Sequence, residues 1–397
     1  MKIAVLFDTY LNNRKGLFNA IVNRTKSLMD FPDCDIHMYC LQARPGGLNK
    51  LIRKQQGQSY GDTLHTDGLT FHIMWYKRYL TDDVLANRLH KPPFFFRRWV
   101  KKNTSVFSSY DIVTAHSTRC GEMARLINKK YGIPFFVTWH GTDIHTTPFI
   151  SVSQRDYVTT ILQAATCNFF VSKALRDIAQ SFASDFKSEI LYNGVGKGFV
   201  RFDEKKRAEL REKYGIVNKK VVAFVGNLIP VKNITTLPLI FDEVQKKTSM
   251  QLSFWVIGDG AMKETAEKEM KEKKVDYVFL GNKPSSEMPE MMNCIDVLVL
   301  PSFNEGLPLV ITEAISCGAN AVGSRVGGIP EVIGEDNSFE LGDDFVSKIS
   351  DRIVFLLSNK VVQEVNKEFS WEETALKEHQ IYCSYYLKYN ENEQVCV

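Results

Sequence analysis

The sequence predicts two α/β domains, each built on a doubly wound parallel sheet. Short apolar runs alternate with helix-length amphipathic stretches along the whole chain, which is the pattern of βαβ units. The chain has 397 residues, too many for one ordinary hydrophobic core. A glycine-rich segment at 194–198 separates two series of apolar runs, and we interpret it as an interdomain hinge. Two such domains facing each other would form a cleft, with ligands at the carboxyl ends of the strands.

Each strand is predicted from one short apolar run. In the first domain the runs fall at 3–7, 36–41, 69–74, 112–115, 135–138, 167–171 and 189–192. In the second domain they fall at 221–225, 252–257, 277–280, 297–300 and 321–323. The charged segment 201–214 follows the hinge and predicts a solvated helix that opens the second domain. Residues 43–68 are polar and weakly periodic, and they predict no element.

The composition excludes several classes of protein. Hydrophobic residues make up 44% and charged residues 24%, which is the balance of a globular protein. A net charge of +4 excludes a globally basic nucleic-acid binder. No apolar stretch approaches the roughly 18 residues of a membrane span, and the apolar run before Asp8 is too short for a signal peptide. The eight cysteines show neither a C-x-x-C pair nor histidines at metal-ligand spacing, which indicates reduced thiols in a cytoplasmic protein.

The densest motif, residues 301–318, follows the predicted strand 297–300. Pro308 suits the first turn of a helix, where its missing N–H costs nothing. Gly318 suits the left-handed position just past a helix end. A helix is therefore predicted at about 307–317, and its free N–H groups and dipole make its N-terminus a receptor for phosphate.

Two carboxylates accompany this helix: Glu305 in the loop before it and Glu313 on its second turn. Carboxylates are poor ligands for phosphate, whereas they accept hydrogen bonds from sugar hydroxyls. The motif therefore predicts a site that binds a phosphate and a polyol together.

Two further loops are expected beside this helix. The predicted strand 221–225 ends at Gly226, which lets a backbone approach a ligand closely, and Lys232 follows as a point charge for a diphosphate. The predicted strand 277–280 ends at Gly281, where exposed backbone can read the edge of a nucleobase. The segment 258–260 has only part of a dinucleotide fingerprint and predicts a plain turn between a strand and a helix.

In order, these segments resemble the retaining glycosyltransferases of the GT-B fold known as family 4, or group 1. Glu305 and Glu313, with the residues between them, resemble the E-x7-E signature of that family. The other matching segments are 139–144, 191–195, 225–228 with Lys232, 279–281, 295–297, 324–331 and 369–372. The resemblance implies two Rossmann-like domains, an acceptor-side domain at 1–198 and a nucleotide-sugar-binding domain at 199–372. It also implies a terminal helix at 373–397 that returns to the first domain.

The resemblance implies three catalytic residues. Glu305 would hold donor-sugar hydroxyls near the anomeric carbon, Lys232 would neutralise the leaving nucleoside diphosphate, and His140 would reach the donor sugar from the first domain. Asp143 would cap its segment or orient His140 rather than abstract a proton. The donor-binding residues implied are Gly16 in the loop after the first strand, Gly226, Asn227, Asn282, Lys283, Gly306, Leu307, Pro308, Leu309, Val310 and Glu313.

The chemistry implied by the resemblance needs no metal ion or other cofactor. Glycosyl transfer develops positive charge on the sugar ring and negative charge on the departing diphosphate. A lysine and a helix N-terminus stabilise the negative charge, and the second domain has no Asp-x-Asp pair in a loop after a strand. The family implies retention by same-face attack without a protein nucleophile. Asn227 stands where the family usually has arginine, so either Lys283, Arg325 or the helix dipole compensates, or the donor is held more weakly.

A basic and aromatic segment, 88–102, admits two interpretations. It contains six Lys or Arg residues, four aromatic residues and no acid. One interpretation is a peripheral membrane patch, in which aromatic rings enter the headgroup region and cations meet anionic lipid. The other is a packing helix whose cations extend to water. Relatives that act on lipid-linked acceptors favour the patch, which comprises Phe94, Phe95, Phe96, Arg97, Arg98, Trp99, Lys101 and Lys102.

The resemblance therefore predicts a cytoplasmic hexosyltransferase with a nucleoside diphosphate sugar, expected to be a UDP-sugar, as its donor. Its acceptor would be a glycan or lipid-linked glycan of a bacterial surface polysaccharide, with peripheral contact at the inner face of the membrane and no nucleic acid as a partner. Two other functions fit the same scaffold. One is a nucleotide-sugar epimerase, which needs no acceptor, and the other is a nucleotide-sugar-binding protein without turnover, to which the Asn227 departure points.

Overall fold

The computed structural model describes residues 1–9, 11, 16–47, 61–89, 91 and 93–394, with the backbone alone at 87 and 388–394. Contacts between residues divide the chain into two compact units, one of Met1–Asn193 with Ser370–Val397 and one of Gly194–Phe369. No helix of the described residues is both long and apolar enough to span a bilayer.

The chain passes between the units slightly earlier than the predicted boundaries of 198 and 372. On the side of the second unit, the Val195 amide donates to the Phe369 carbonyl at 3.2 Å. On the side of the first unit, the Thr374 hydroxyl donates to the Tyr192 carbonyl at 2.6 Å. These two hydrogen bonds join the outgoing and returning segments on either side of the crossing.

The first unit is built on one sheet with helices between its strands. Its strands are β1 (Lys2–Phe7), β2 (Asp35–Pro45), β3 (Thr63–Thr66), β4 (Leu69–Arg78), β5 (Ile112–His116), β6 (Phe135–Trp139), β7 (Cys167–Phe170) and β8 (Ser188–Ile190), in the order β3-β4-β2-β1-β5-β6-β7-β8. Its helices before the crossing are α1 (Gly16–Leu28), α2 (Leu80–Asn87), α3 (Phe94–Asn103), α4 (Thr118–Tyr131), α5 (Thr142–His145), α6 (Thr147–Ile150), α7 (Val152–Ala164) and α8 (Lys173–Phe182).

Strand β3 makes this sheet mixed rather than purely parallel, and it lies in the segment for which the sequence predicts no element. It pairs antiparallel with β4, with Thr66 opposite Leu69, so that the turn contains only Asp67 and Gly68. Both turn residues have positive φ, 56° and 73°, as a type I′ hairpin turn requires. An Asp-Gly pair is the sequence signal that identifies such a hairpin.

The second unit has a parallel sheet among its described residues. Its strands are β9 (Lys220–Val225), β10 (Leu252–Ile257), β11 (Tyr277–Gly281), β12 (Val297–Leu300), β13 (Asn320–Ser324) and β14 (Ser338–Phe339), in the order β11-β10-β9-β12-β13-β14. Its helices are α9 (Glu204–Lys213), α10 (Leu237–Lys247), α11 (Lys263–Glu272), α12 (Met288–Cys294), α13 (Leu309–Ser316), α14 (Ile329–Ile333) and α15 (Phe345–Ser358). The final helix, α16 (Trp371–Gln394), belongs to the first unit.

All twelve predicted apolar runs coincide or overlap with strands, which confirms the α/β fold class. The charged segment predicted as a helix is α9, which begins after Asp203, whose carboxylate accepts the Lys206 amide at 2.8 Å. The two-residue strand β14 is too short to leave a periodic signal and is missed.

Helix α16 packs into the core of the first unit. Glu378, which is 1% exposed, accepts the Arg24 guanidinium of α1 at 2.6 Å. The Tyr382 hydroxyl donates to the other oxygen of the same carboxylate at 2.5 Å, and its ring meets Phe136 of β6 edge-on at 4.7 Å. Both oxygens of this buried carboxylate thus have a donor, whereas the two Nη atoms of Arg24 are buried without a hydrogen-bond partner.

The strand order of the second sheet identifies where a ligand would bind. From β9, the chain continues to β10 and β11 on one side, whereas β12 and β13 lie on the other. The carboxyl ends of β9 and β12 therefore flank the point where the order reverses, and parallel sheets bind ligands at that point. The loops at 226–233 and 301–308 follow these two strands.

Candidate functional site

The centre of the candidate site is an ion pair between the loops that follow β9 and β12. Lys232 Nζ lies 2.5 Å from Glu305 Oε1, and the two side chains are only 20% and 10% exposed. The Ser302 hydroxyl donates to the same carboxylate oxygen at 2.6 Å. Two of the three predicted catalytic residues are thus in direct contact, and the carboxylate is oriented by two donors.

The backbones of the two loops are also joined. The Phe303 amide donates to the Val231 carbonyl at 2.8 Å. Asn233, with φ of 52°, ends a short 3₁₀ turn that contains Lys232. This geometry presents the lysine towards the loop that carries Glu305.

The loop after β13 supports the Glu305 loop from behind. Gly327 has φ of 53°, and a Cβ at this position would lie 1.8 Å from the Glu305 carbonyl oxygen. The Gly328 amide donates to the Gly306 carbonyl at 2.9 Å, and the buried Ser324 hydroxyl donates to the Ser302 carbonyl at 2.5 Å. Any side chain at 327 would displace the loop that carries Glu305.

On the other side of β9, loop backbones approach one another closely. The Gly226 amide donates to the Ile257 carbonyl at 2.9 Å, and the Gly258 amide donates to the Gly281 carbonyl at 2.9 Å. A Cβ on Gly258 would lie 1.9 Å from the Gly226 carbonyl oxygen. The predicted turn at 258–260 is confirmed, and it holds the loops after β9 and β11 in place.

Helix α13 begins one residue later than Pro308 suggests. Pro308 is the N-cap, with φ of −78° and ψ of 105°, and not a residue of the first turn. The amides of Leu309 and Val310 are therefore among the first of the helix, where no intrahelical acceptor exists. Gly318 has the predicted positive φ, 90°.

Glu313 lies on the second turn of α13 and carries an unusual carboxyl group. Burial raises its pKa to about 7. No side chain of the described residues forms a hydrogen bond or an ion pair with this carboxyl. It is therefore an unpaired acceptor beside the helix N-terminus.

The remaining donor-side predictions fall on the same edge of the second sheet. Asn282 is exposed just after β11, and Lys283 lies 3.9 Å from Glu287. Arg325 is engaged elsewhere, because its guanidinium contacts the Glu335 carboxylate at 3.0 Å. Of the possible compensations for Asn227, Lys283 and Arg325 thus both already face an acid, Arg325 at the shorter distance.

In the first unit, His140 follows β6 and pairs with a histidine that the sequence did not single out. His140 Nε2 lies 3.0 Å from His116 Nδ1 at the end of β5, and the two rings stack with centroids 5.3 Å apart. Burial lowers the pKa of His140 to about 3, with Arg24 adding to the effect. Burial and His140 hold the pKa of His116 well below its usual range. The pair is neutral near pH 7, so that one ring donates and the other accepts.

Asp143 lies in α5, but its carboxylate caps the N-terminus of α4. Its carboxylate accepts the Thr118 amide at 3.1 Å and the Thr118 hydroxyl. Thr118 is the first residue of α4. Of the two predicted roles, the structure supports capping, and the hydrogen bonds of Asp143 do not reach His140.

A cavity of about 220 Å³, with both polar and apolar walls, lies beside Asp143 in the first unit. Residues after β1, β5 and β6 line it, among them Asp8, Ser117 and Arg119. Arg119 Nη1 lies 2.8 Å from Asp8 Oδ2. The cavity therefore offers both donors and acceptors to a polar ligand.

Gly16 lies in α1 and not in the preceding loop, because it is the first residue of that helix. A Cβ on Gly16 would meet no atom within 4 Å. Residues 12–15 of the loop lie outside the described residues.

The basic and aromatic segment forms α3, and both sequence interpretations apply to parts of it. Phe96 and Val100 are buried, and Arg97 Nε lies 2.7 Å from the buried carboxylate of Glu122 on α4. Trp99 packs with its ring 5.7 Å from that of Tyr76. This face of α3 therefore packs on the protein, and the predicted patch is wrong for the buried Phe96, whereas Arg97 and Trp99 are only partly covered.

The outward face of α3 retains exposed residues of the predicted patch. Phe94 is 58% exposed, and Arg98, Lys101 and Lys102 are exposed beside it. Phe95 is half-buried against the Tyr79 ring at 4.7 Å. The exposed set is one aromatic ring with three cations.

Two family models match the chain, one on each side of the first crossing. Residues 59–196 match the model described as Glycosyltransferase Family 4, and residues 206–376 match Glycosyl transferases group 1. The chain is 25% identical to a glycosyltransferase assigned to teichuronic acid biosynthesis in Bacillus subtilis (strain 168), over 57% of this chain and 56% of that relative. It is 30% identical to a UDP-Gal:alpha-D-GlcNAc-diphosphoundecaprenol alpha-1,3-galactosyltransferase of Escherichia coli, over 55% of this chain and 59% of that relative. The chain thus spans little more than half the length of these relatives.

The fold resembles that of a solved glycosyltransferase from Rickettsia africae, with a TM-score of 0.64 at 17% identity over 98% of this chain and 99% of that chain. The Anabaena protein HepE in complex with UDP superimposes with a TM-score of 0.73 at 16% identity, over 97% of this chain and all of that chain. This likeness confirms the predicted GT-B fold of two Rossmann-like domains. Both relatives named above are transferases, so an epimerase is not favoured.

Proposed function

Because the chain belongs to the group 1 and family 4 glycosyltransferases, we propose that it is a retaining hexosyltransferase that works without a metal ion. Its donor is a UDP-sugar, and its acceptor is a glycan or lipid-linked glycan in polysaccharide biosynthesis. The observation that carries the proposal is the Lys232–Glu305 pair, 2.5 Å apart at the carboxyl edge of the second sheet. The names of the relatives, which include a UDP-galactose enzyme, support the class of donor and acceptor.

The ion pair suits a site that waits for a diphosphate. Without the donor, Lys232 and Glu305 neutralise each other in a largely buried position. When the donor binds, its diphosphate competes for the lysine, and the Glu305 carboxylate becomes available to sugar hydroxyls. Ser302 keeps that carboxylate oriented during the exchange, because its hydroxyl bonds the same oxygen.

Positive charge for the leaving group comes from the protein itself. Lys232 and the N-terminal amides of α13 stabilise the charge that develops on the departing diphosphate. Glu313, on the next turn, accepts hydrogen bonds from the ribose hydroxyls, and Asn282 and Lys283 border the base. This arrangement supplies by side chain and backbone what a divalent cation supplies in other glycosyl transfers.

The first unit supplies the acceptor side. The cavity beside Asp8 and Arg119 binds the acceptor glycan, because the Asp8–Arg119 pair offers an acceptor and donors to hydroxyl groups and Tyr76 and Phe96 add apolar surface. His140 acts as a neutral imidazole that is held in orientation by His116. The exposed face of α3 rests on anionic lipid, which brings a lipid-linked acceptor to the cavity.

Incubation with UDP-hexoses and EDTA, with and without glycan acceptors, tests this function. The proposal expects transfer only when an acceptor is present, no loss of rate with EDTA, and a product with the anomeric configuration of the donor. Isomerised donor without an acceptor would indicate an epimerase. Binding of UDP without any product, in the presence of acceptors that the related enzymes use, would indicate a protein without turnover.

A further inference from the structure

A cluster of metal-ligating side chains lies on the first unit, at the amino ends of its strands, whereas the cavity lies at their carboxyl ends. Asp33 and Cys34 directly precede β2, at the amino ends of the strands, and His379 and Cys383 lie on α16. One ligand atom each from Asp33, Cys34 and His379 falls within 4.8 Å of the others. Among the described residues, no other group of three His, Cys, Asp or Glu side chains has its ligand atoms this close together.

Cys383 stands outside the three-residue group but contacts two of its members, and the distances among these atoms lie on either side of those in a tetrahedral metal site. His379 Nε2 lies 2.8 Å from Asp33 Oδ1 and 3.5 Å from Cys383 Sγ. Asp33 carboxylate oxygens lie 4.0 Å from Cys383 Sγ and 4.0 Å from Cys34 Sγ. In a tetrahedral zinc site of sulfur, nitrogen and oxygen ligands, neighbouring ligand atoms are about 3.4–3.8 Å apart.

Local structure already holds the ligands in place. His379 and Cys383 are four residues apart on a helix, so their side chains project from one face, a histidine–cysteine spacing that corrects the expectation of none. The His379 ring stacks on Phe31, with centroids 4.2 Å apart and an interplanar angle of 10°. Asp33 is exposed, whereas Cys34 and Cys383 are half-buried, so a cation reaches the cluster from solvent without rearrangement of the fold.

We propose that Asp33, Cys34, His379 and Cys383 bind one Zn²⁺ ion or a similarly thiophilic divalent cation. Both thiols release a proton to solvent and bind as thiolates, the Asp33 carboxylate binds through one oxygen, and His379 binds through Nε2 with its proton on Nδ1. The ion joins the segment after α1 to α16 across 346 residues of sequence. Its role is structural, because four protein ligands leave no open position on the metal.

A cobalt titration of the reduced full-length chain tests the site. We expect one Co²⁺ per chain, with thiolate-to-cobalt charge-transfer absorption and the visible bands of tetrahedral Co²⁺, both of which Zn²⁺ abolishes. Cys34→Ala and Cys383→Ala should each weaken binding at least about 100-fold, more than the loss of an outer-shell partner. His379→Gln removes a ligand but retains an amide donor for Asp33, and it should weaken binding similarly.

The matched control is Cys167→Ala, which removes a buried thiol of the same unit that lies in β7, outside the cluster. It should bind Co²⁺ like the unaltered chain. Zn²⁺ should raise the Tm of the unaltered chain and of this control, but not that of Cys34→Ala with Cys383→Ala. The proposal is overturned if Co²⁺ gives no charge-transfer absorption, or if the cluster variants bind it as tightly as the control. Neither readout depends on glycosyl transfer.

Discussion

Lys232 and Glu305 are 73 residues apart in the sequence, yet their charged atoms lie 2.5 Å apart. They come from loops that follow β9 and β12, the neighbouring strands at which the order of the second sheet reverses. The ion pair therefore forms only when both loops have their observed conformations. A change in either residue, or in the backbone behind them, is expected to appear in catalysis.

Lys232→Ala should lower kcat by about 10²–10³, because the departing diphosphate loses its cationic partner. This corresponds to about 2–4 kcal/mol, by analogy with the loss of a donor that stabilises an oxyanion. Steady-state rates with saturating donor provide the measurement, and Lys246→Ala on the exposed face of α10 is the control. A Lys232→Ala enzyme with unaltered turnover would contradict the assignment.

Glu305→Gln should lower kcat more than Glu313→Gln does. Glu305 is assigned to the reacting sugar, whereas Glu313 is assigned to the ribose, so that loss of Glu313 should mainly weaken donor binding. Comparison of kcat and donor KM for the two variants provides the measurement. The opposite order in kcat would mean that the two roles are exchanged.

Glu313→Gln should also change how stability depends on pH. Burial raises the pKa of Glu313 from 4.5 to about 7. Between these values the folded chain holds a proton that the unfolded chain lacks, so stability is lost as pH rises through this range. The variant should remove that loss, which is of the order of 3 kcal/mol or less. Urea unfolding of both proteins at pH 5 and pH 8 provides the test, and an equal pH dependence in the two proteins would argue against a buried, protonated carboxyl.

Gly327→Ala should disrupt the site, because its new Cβ would meet the Glu305 carbonyl oxygen at 1.8 Å. Gly334→Ala is a sharp control, since Gly334 also has positive φ, 76°, but open space around its Cβ position. Backbone strain should cost both variants about 1 kcal/mol of stability, and Gly327→Ala should lose more because its Cβ must displace backbone. Only Gly327→Ala should also lose activity, by 10-fold or more. Equal kinetics in the two variants would show that Gly327 does not position the loop that carries Glu305.

Replacing Arg98, Lys101 and Lys102 together with glutamine should reduce binding to vesicles that contain anionic lipid. Each cation near such a surface is worth about 1 kcal/mol, so most of the binding should be lost. A triple replacement of Lys268, Lys271 and Lys274, exposed on or next to α11, changes the net charge equally and is the control. Co-sedimentation at several salt concentrations provides the measurement, and equal binding of the two variants would rule out a specific role for α3.

Most of the fold was predictable because apolar runs mark strands independently of their neighbours. The run at 221–225, for example, is buried on both faces and corresponds to β9. The β3 hairpin was missed because its strand alternates weakly, although Asp67 and Gly68 carried the turn signal. The start of α13 shifted because Pro308 fits both a first turn and an N-cap, and only its ψ of 105° distinguishes them.

The candidate site was predictable only where a motif carried it. Glu305 and Lys232 stand in recognisable segments, whereas Ser302 is an ordinary serine until the fold brings its hydroxyl to the Glu305 carboxylate. The packing of Arg97 depends on Glu122, 25 residues away on another helix. Such partners are fixed by tertiary structure, so neither composition nor local spacing reveals them.

The buried bond between Arg24 and Glu378 has a consequence for synthesis on the ribosome. The two residues are separated by 354 positions. In the sequence, the entire second unit lies between the two segments that form the first unit. During translation the second unit can close its core while the first still lacks its last helix. A nascent chain released before residue 371 would therefore carry a finished second unit beside a first unit with an uncovered apolar face and an unneutralised Arg24. Chaperones or proteases that act on such truncated chains should therefore bind the incomplete first unit, at residues 1–193, and not the folded second unit.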